Sequence, residues 1–204
     1  NQVRQQFSGA LSLRDLFEHP TIAGLSEQLN YQDYNPIPRS PEMPSYPLSS
    51  SQKRLWILRQ HADGHRAYSI PGLIKLSGQL DKEQLTAAFK VVIHRHESLR
   101  TGFVQADSGS VSQFVIPVDK VRFRVEEAGF IAPQNLDYQA LLAGLSLSLD
   151  EAPLLRALLV EVGEQSHILV VSVHHLVADG WSIELLGRDL MMSYNSLLAG
   201  QTPD

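Results

Sequence analysis

The segment best suited to chemistry is the run His174-His175-Leu176-Val177-Ala178-Asp179-Gly180. A histidine can exchange a proton near neutral pH, and a glycine lets a backbone N–H approach a substrate oxygen closely. An N–H in that position can stabilise the negative charge that develops on a carbonyl oxygen. These residue types together indicate a site for acyl transfer.

The elements on either side of this run would hold it in place. Residues 168–173 are apolar at every position but one, which is typical of a central strand covered on both faces. Alternation along a strand turns His174 and His175 to opposite sides. Only one of them can face a given cleft, and the other must find a partner inside. After the run, Ser182 is a candidate N-cap for a last helix.

Asp179 and the histidine pair admit several interpretations. Asp179 can organise the loop by accepting backbone N–H bonds or by pairing with an arginine. Adjacent histidines can bind a metal, but their side chains diverge, and no HExxH motif adds ligands from a helix face. We therefore expect no metal site. Taken alone, both histidines could also be structural.

The composition excludes several classes of function. The chain of 204 residues has a formal net charge of −5 and no basic stripe, which disfavours a nucleic-acid partner. Its apolar stretches are too short to span a membrane, and the absence of cysteine excludes disulfides and thiolate chemistry. We expect a cytoplasmic protein. Because the chain starts at Asn1, with neither an initiator Met nor a signal peptide, we also expect a fragment of a longer protein.

The chain divides into three predicted segments. Residues 1–30 form a small helical piece in which Thr21 is a candidate N-cap. Residues 31–47 contain five prolines among polar residues, which predicts a semi-rigid linker. Residues 48–204 form the main domain.

Helices and strands are mixed along the main domain. Asp81 is a candidate N-cap with Gln84 as its capping-box partner. Apolar periodicity predicts helices over 49–60, 82–96, 135–145 and 183–197, and strands over 73–76, 111–116, 121–125, 154–162 and 167–173. This order predicts an α/β (α+β) layered sandwich rather than a regular βαβ repeat.

Two further segments change the interpretation of the histidine loop. Together and in chain order, the three segments resemble the core motifs of the condensation domains of nonribosomal peptide synthetases. The first motif is matched by Ser49, Gln52, Arg54, Leu55 and Trp56, with Ser51 where the family usually has Ala. The second is matched by Arg95, His96, Glu97, Leu99, Arg100, Thr101 and Phe103, and the third, HHxxxDG, by His174, His175, Asp179 and Gly180.

The resemblance extends to the N-terminal piece. Residues 11–25 resemble the last helices of a peptidyl carrier domain, whose phosphopantetheine serine would lie upstream of this chain. The later motifs of the family do not occur in the sequence. The resemblance therefore implies a carrier tail, a linker and the N-terminal lobe of a condensation domain, which is chloramphenicol-acetyltransferase-like.

The resemblance also implies a reaction and its partners. In the family, the amine of an acceptor aminoacyl thioester attacks the thioester of a donor, and both are tethered to phosphopantetheine arms. The implied partners are upstream and downstream carrier domains, an adenylation domain and a C-terminal lobe. The lobe itself would bind no cofactor.

Each residue of the site takes an implied role. His175 lies at the reacting centre, either as a general base or as a positioning group, and the Gly180 N–H is the candidate oxyanion donor. Asp179 organises the loop, His174 is buried and structural, and Arg54 either pairs with Asp179 or serves its own helix.

Rival functions remain open from the sequence. An epimerisation domain shares HHxxxDG and also follows a carrier, although the second motif and the Trp181-Ser182 continuation favour condensation. A heterocyclisation domain would have aspartates in place of these histidines, and a stand-alone acetyltransferase would need no carrier tail. The chain could also be a non-catalytic carrier-docking fragment. We expect the isolated lobe to be inactive, because half a cleft cannot exclude water.

Overall fold

The computed structural model describes residues 11, 13–28, 38–61 and 68–203; for Leu13 and residues 59–61 it describes the backbone alone. The chain divides into two compact units, residues 1–42 and 43–204. Of the predicted linker, residues 31–37 lie outside the described residues, as do residues 1–10 of the predicted helical piece.

The first unit contains two short helices, α1 (Leu13–Glu18) and α2 (Ile22–Glu27). The predicted N-cap is confirmed, because the Thr21 hydroxyl accepts the Gly24 N–H at 3.1 Å. Each helix has six residues, and α2 has no buried residue. Helices of this length are not stable in isolation.

The second unit is built around two sheets. The first is antiparallel in the order β1-β4-β3, and the second has the order β2-β7-β6-β5, with only the β5–β6 pair parallel among its described pairs. The strands are β1 (Tyr46–Pro47), β2 (Ser69–Ser77), β3 (Thr101–Gln105), β4 (Val111–Val115), β5 (Glu126–Phe130), β6 (Leu155–Gly163) and β7 (Ser166–His174). The helices are α3 (Ser50–His61), α4 (Lys82–Arg95), α5 (Tyr138–Gly144) and α6 (Gly180–Leu198), with 3₁₀ turns at Glu97–Arg100, Val118–Lys120 and Pro133–Asn135.

Strand β7 lies between β2 and β6 and is covered on both faces, as its apolar sequence predicts. Leu169 and Val173 face a cluster that includes Phe89 of α4 and Leu190 of α6. On the other face, Val170 packs in a second cluster against which α5 lies. These helix and sheet layers confirm the predicted α/β sandwich.

Helix α4 begins where the sequence predicts. The Asp81 carboxylate accepts the Gln84 N–H at 2.9 Å. The Asp81 N–H, which a capping box would pair with the Gln84 side chain, instead donates to the Tyr194 hydroxyl at 2.9 Å. Since Tyr194 belongs to α6, this bond ties the start of α4 to that helix.

The predicted strand over 121–125 is wrong: this segment is irregular, and β5 begins at Glu126. Val121, Phe123 and Val125 do pack against the core. The guanidinium of Arg122 donates to the carbonyl of Asp119 at 3.1 Å. The alternation of apolar and charged residues therefore predicted which side chains are partly buried, but it did not predict whether the segment pairs with a strand.

The second unit includes the end of the predicted linker: it begins at Met43, and Tyr46 and Pro47 pair with β4. The Pro47 carbonyl also accepts the Gln113 side-chain amide at 3.0 Å. The helix predicted over 135–145 is divided, because Asp137 caps a separate helix, α5, through the Ala140 N–H.

Gly102 of β3 lies under an aromatic ring. It pairs with Phe114 of β4, and a Cβ on Gly102 would lie 2.5 Å from the Phe114 Cζ. Cross-strand aromatic rings commonly cover glycines in this way. A side chain at this position would therefore require the Phe114 ring to move.

We expect Gly102→Ala to lower the free energy of unfolding by about 1 kcal/mol, the lower end of the usual cost of overpacking, because the half-buried ring can tilt. The measurement is urea denaturation within a double-mutant cycle with Phe114→Leu, in which the cost should vanish. Gly144→Ala is the control, because a Cβ there meets nothing within 4 Å. Equal costs in both backgrounds would contradict this packing account.

Candidate active site in the loop between β7 and α6

The loop that carries the two histidines starts where β2 and β7 end together. His174 is the last residue of β7 and pairs with Ser69, the first residue of β2. The next N–H, that of His175, donates to the Tyr68 carbonyl at 2.8 Å. The backbone of His175 is therefore fixed although its side chain is exposed.

His174 is buried, with 2% of its surface exposed. Its N–H donates to the Leu154 carbonyl at 3.1 Å, and its Nδ1 accepts the Leu176 N–H at 3.1 Å. The Nδ1 atom of the His174 ring thus acts as a hydrogen-bond acceptor for the loop backbone. His174 therefore shapes the turn and is not open to a substrate.

Asp179 is the N-cap of α6, so the prediction of Ser182 as the cap is wrong. The Asp179 carboxylate accepts the Ser182 N–H at 2.9 Å and the Ser182 hydroxyl at 2.7 Å. The hydroxyl bond, then the backbone bond, and also the nearby His175 hold the pKa of Asp179 below its ordinary value. Asp179 is thus an anion at neutral pH and has no proton to donate.

Gly180 is the first residue of α6 and is exposed. A Cβ built on it would meet nothing within 4 Å, so the space beside its backbone is open. The first N–H groups of a helix have no partner within the helix. The positive end of the α6 dipole therefore lies in the same loop as His175.

Gln52 of α3 connects the first motif to this loop. Its side-chain oxygen accepts the Ser49 N–H at 2.9 Å, and the Ser49 hydroxyl accepts the Gln52 N–H at 3.2 Å, which completes a capping box. The side-chain nitrogen of Gln52 donates to Gln113 at 3.0 Å and to the Leu176 carbonyl at 3.3 Å. One side chain thus holds α3, β4 and the histidine loop together.

A small apolar cluster brings all three motifs into contact. Leu176, from the histidine loop, is buried in one cluster with Trp56 of the first motif and Phe103 of the second. The Trp56 and Phe103 rings lie 6.5 Å apart at 38°. The motifs are therefore parts of one core beneath the loop.

Arg54 lies apart from this arrangement. It is exposed on α3. Among the described residues there is no ion pair between Arg54 and Asp179, whose carboxylate is bonded to Ser182. Of the two alternatives for Arg54, the structure thus gives no support to pairing with Asp179.

A buried carboxylate that the sequence analysis missed holds α6 to the second motif. Asp189 Oδ2 lies 2.8 Å from His96 Nε2 and 3.3 Å from Arg95 NH1. Burial alone would raise the pKa of Asp189, but the hydrogen bonds from His96 and Arg95 outweigh it and lower the pKa. This contact leaves little signal in the sequence, because α6 also contains the charged residues Glu184 and Arg188.

Two negative findings apply to the described part of the chain. No group of three or more His, Cys, Asp or Glu side chains there could hold a metal ion. No helix there is both long and apolar enough to cross a membrane.

Comparison with known proteins places this geometry in a family. The family model of the condensation domain matches residues 43–204, which are most of the chain. The chain belongs to the condensation-domain family. As a condensation domain it is similar to modules of large peptide synthetases: bacitracin synthase 3 of Bacillus licheniformis is 34% identical over 197 residues, which are 95% of this chain and 3% of that protein.

Other relatives agree with this assignment. The dimodular nonribosomal peptide synthase of Bacillus subtilis (strain 168) is 34% identical over 206 residues, covering 100% of this chain and 9% of that protein. The X-domain from teicoplanin biosynthesis has a TM-score of 0.68 at 30% identity, over 81% of this chain and 36% of that one. The starter condensation domain of the rhizomide synthetase RzmA has a TM-score of 0.65 at 22% identity, over 78% and 39%, and shows the fold alone. This chain thus spans well under half of each of these proteins.

In this condensation domain we expect Asp189→Asn to lower the free energy of unfolding at pH 7 by about 2 kcal/mol, because hydrogen bonds to a buried charge are lost. Because the pKa of Asp189 is lower in the folded state, its carboxylate stabilises the fold at pH values above its ordinary pKa of 3.8. This stabilisation is lost as the pH falls through the folded-state pKa. The difference between variant and parent should therefore shrink towards pH 3. Urea denaturation at both pH values measures it, with Asp107→Asn, an exposed turn residue, as control. A difference independent of pH would contradict the assignment.

Proposed function

We propose that this chain supplies the histidine-bearing lobe of a domain that forms an amide bond between two carrier-tethered thioesters. The observation that carries the proposal is the loop from His174 to Gly180, where an exposed imidazole, a helix N-terminus and a capping carboxylate lie together on a fixed backbone. The acceptor amine attacks the donor thioester carbon, the C–N bond forms, and the thiol of the donor arm leaves.

His175 is proposed as the residue at the reacting centre. It is the exposed member of the pair, and its backbone is held by Tyr68. As a general base it would contribute about 10²–10⁴-fold. An α-amine has a pKa of about 8 and is partly unprotonated at neutral pH, so positioning the amine is an equally suitable role.

Gly180 is proposed as the oxyanion donor. Asp179 already binds the Ser182 N–H, which leaves the first N–H groups of α6 to face the reacting carbonyl. Hydrogen-bond donors fixed before the reaction stabilise a developing oxyanion without reorganisation. The anionic Asp179 supports this role by holding the first turn of α6 in place. His174 supports it by accepting the Leu176 N–H, which fixes the backbone of the loop.

The proposed partners follow from the relatives. Those relatives are large synthetases, and this chain covers under a tenth of each of the two described above. Residues 1–30 are proposed as the last helices of a carrier domain and residues 31–47 as the linker to the lobe. The phosphopantetheine arms of two carriers would bring the substrates, an adenylation domain would load them, and a second lobe would complete the cleft.

A binding role is the second candidate. An X-domain 30% identical to this chain has been solved in a complex with OxyB from teicoplanin biosynthesis. A domain of this fold can thus bind another protein. An epimerisation domain is the third candidate, since it shares the HHxxxDG motif.

The decisive experiment supplies donor- and acceptor-loaded carriers to the full two-lobed domain and follows the tethered products by mass spectrometry. Condensation yields a longer peptidyl thioester, whereas epimerisation inverts a stereocentre at constant mass. We expect His175→Ala to lower the rate at least about 100-fold, because the base or positioning group is lost. His94→Ala, an exposed histidine of α4, is the matched control. Undiminished turnover by His175→Ala would refute the assignment.

The 204-residue chain alone should not condense these substrates. The loop is open on the side of Gly180, where a Cβ would meet nothing within 4 Å, so water can reach a substrate there. The same mass-spectrometric assay, run with equal concentrations of the chain and of the two-lobed domain, measures this. Comparable rates would show that one lobe suffices.

A further inference from the structure

An apolar cavity of about 70 Å³ lies between the four-stranded sheet and helix α6. All of its lining residues are apolar or glycine, and none is titratable. Natural protein interiors contain few voids larger than a water molecule. A cavity of this size within the core therefore needs an explanation.

Two glycines, one from each wall, create the space. Gly72 interrupts the row formed by Ile70, Ile74 and Leu76 on the inner face of β2, and Gly187 lies in the apolar row of α6. A Cβ on Gly187 would meet nothing within 4 Å, and one on Gly72 would make an ordinary contact at 3.6 Å. Glycine is the least favourable residue in a helix interior apart from proline. A Cβ can therefore be added at both positions without a clash, so local packing does not require glycine at either one.

The cavity begins beside the histidine loop. Two of its lining residues, Ile70 and Val173, are paired across β2 and β7, directly next to the Ser69–His174 pair. A third, Ile183, donates its N–H to the Asp179 carbonyl at 3.1 Å. Ile183 and Gly187 are partly exposed, so the space can be reached from outside.

We propose that this cavity binds the aliphatic side chain or acyl end of a thioester substrate held at His175, an inference that rests on the proposed function. The lining excludes charged and hydrogen-bonding groups, because they would lose their water partners without replacement. A dry cavity of about 150 Å³ holds benzene, so about half that volume holds roughly three carbons. The class of ligand is a short branched aliphatic group.

The test titrates the methyl-labelled 204-residue chain with isovaleryl-pantetheine and with acetyl-pantetheine, followed by NMR. Each buried methylene is worth about fourfold in affinity, and isovaleryl adds three carbons. We expect isovaleryl-pantetheine to bind at least about tenfold more tightly and to shift the methyl signals of Ile70, Ile183 and Leu186. Equal affinities, or shifts confined to other methyl groups, would overturn the proposal.

Filling the cavity should remove this preference. Gly187→Leu should bind both thioesters equally and raise the melting temperature, whereas Gly144→Leu, at the exposed end of α5, should keep the preference. If Gly187→Leu does not fold, Gly72→Val fills the space from the other wall and must give the same result. A preference that persists in the filled variant would overturn the proposal.

The two proposals fail separately. Thioester binding needs no second lobe and no chemistry, so discrimination by the chain without condensation by the two-lobed domain would refute only the proposed reaction. Condensation by a Gly187→Leu two-lobed domain with an unchanged preference for isovaleryl over acetyl donors would refute only the cavity.

Discussion

The candidate site depends on how the peptide groups at Leu176 are held. The Leu176 N–H donates a hydrogen bond to the His174 ring, and its carbonyl accepts one from the Gln52 side chain. The Leu176 side chain is buried with Trp56 and Phe103. Buried backbone polar groups need partners, and here side chains provide them. The three sequence motifs thus meet at Leu176, which is one of the variable positions of the HHxxxDG motif. Any change that displaces Leu176 moves His175 with it.

Helix α6 is fixed at several points along its length, which makes its N-terminus a stationary source of positive potential. Asp179 caps the start of the helix, and Asp189, in its middle, contacts Arg95 and His96. Near its end, the Tyr194 hydroxyl accepts a hydrogen bond from the backbone N–H of the residue that caps α4. A dipole stabilises developing charge most effectively when it need not reorient during the reaction. The second motif is therefore linked to the candidate site through α6, because Arg95 and His96 hold the middle of that helix.

Most buried elements could be predicted from the sequence, and most long-range polar contacts could not. Strands β6 and β7 and helix α4 were readable because burial produces a clear apolar pattern. The segment 121–125 has the same pattern without a strand partner, so its prediction failed. Ser182 and Asp179 are both good N-caps three residues apart, and periodicity cannot choose between them. The Gln52–Leu176 and His96–Asp189 contacts leave no local signature, since their partners lie far along the chain. The cavity does have a local signature in the sequence, because Gly187 is a glycine within an apolar helical row.

The hydrogen bond from Gln52 to Leu176 joins residues 124 positions apart, and this separation bears on how the site forms during folding. Strand β2 also pairs with β7 across a long stretch of the chain, so the loop acquires these partners only after long chain closures. Long closures cost more entropy and form slowly. Local pieces such as the β6–β7 hairpin can order earlier, but a hairpin without α3 and β2 presents the two histidines on an unsupported turn. The loop therefore has its described geometry only when α3, β2 and the β6–β7 hairpin have all assembled.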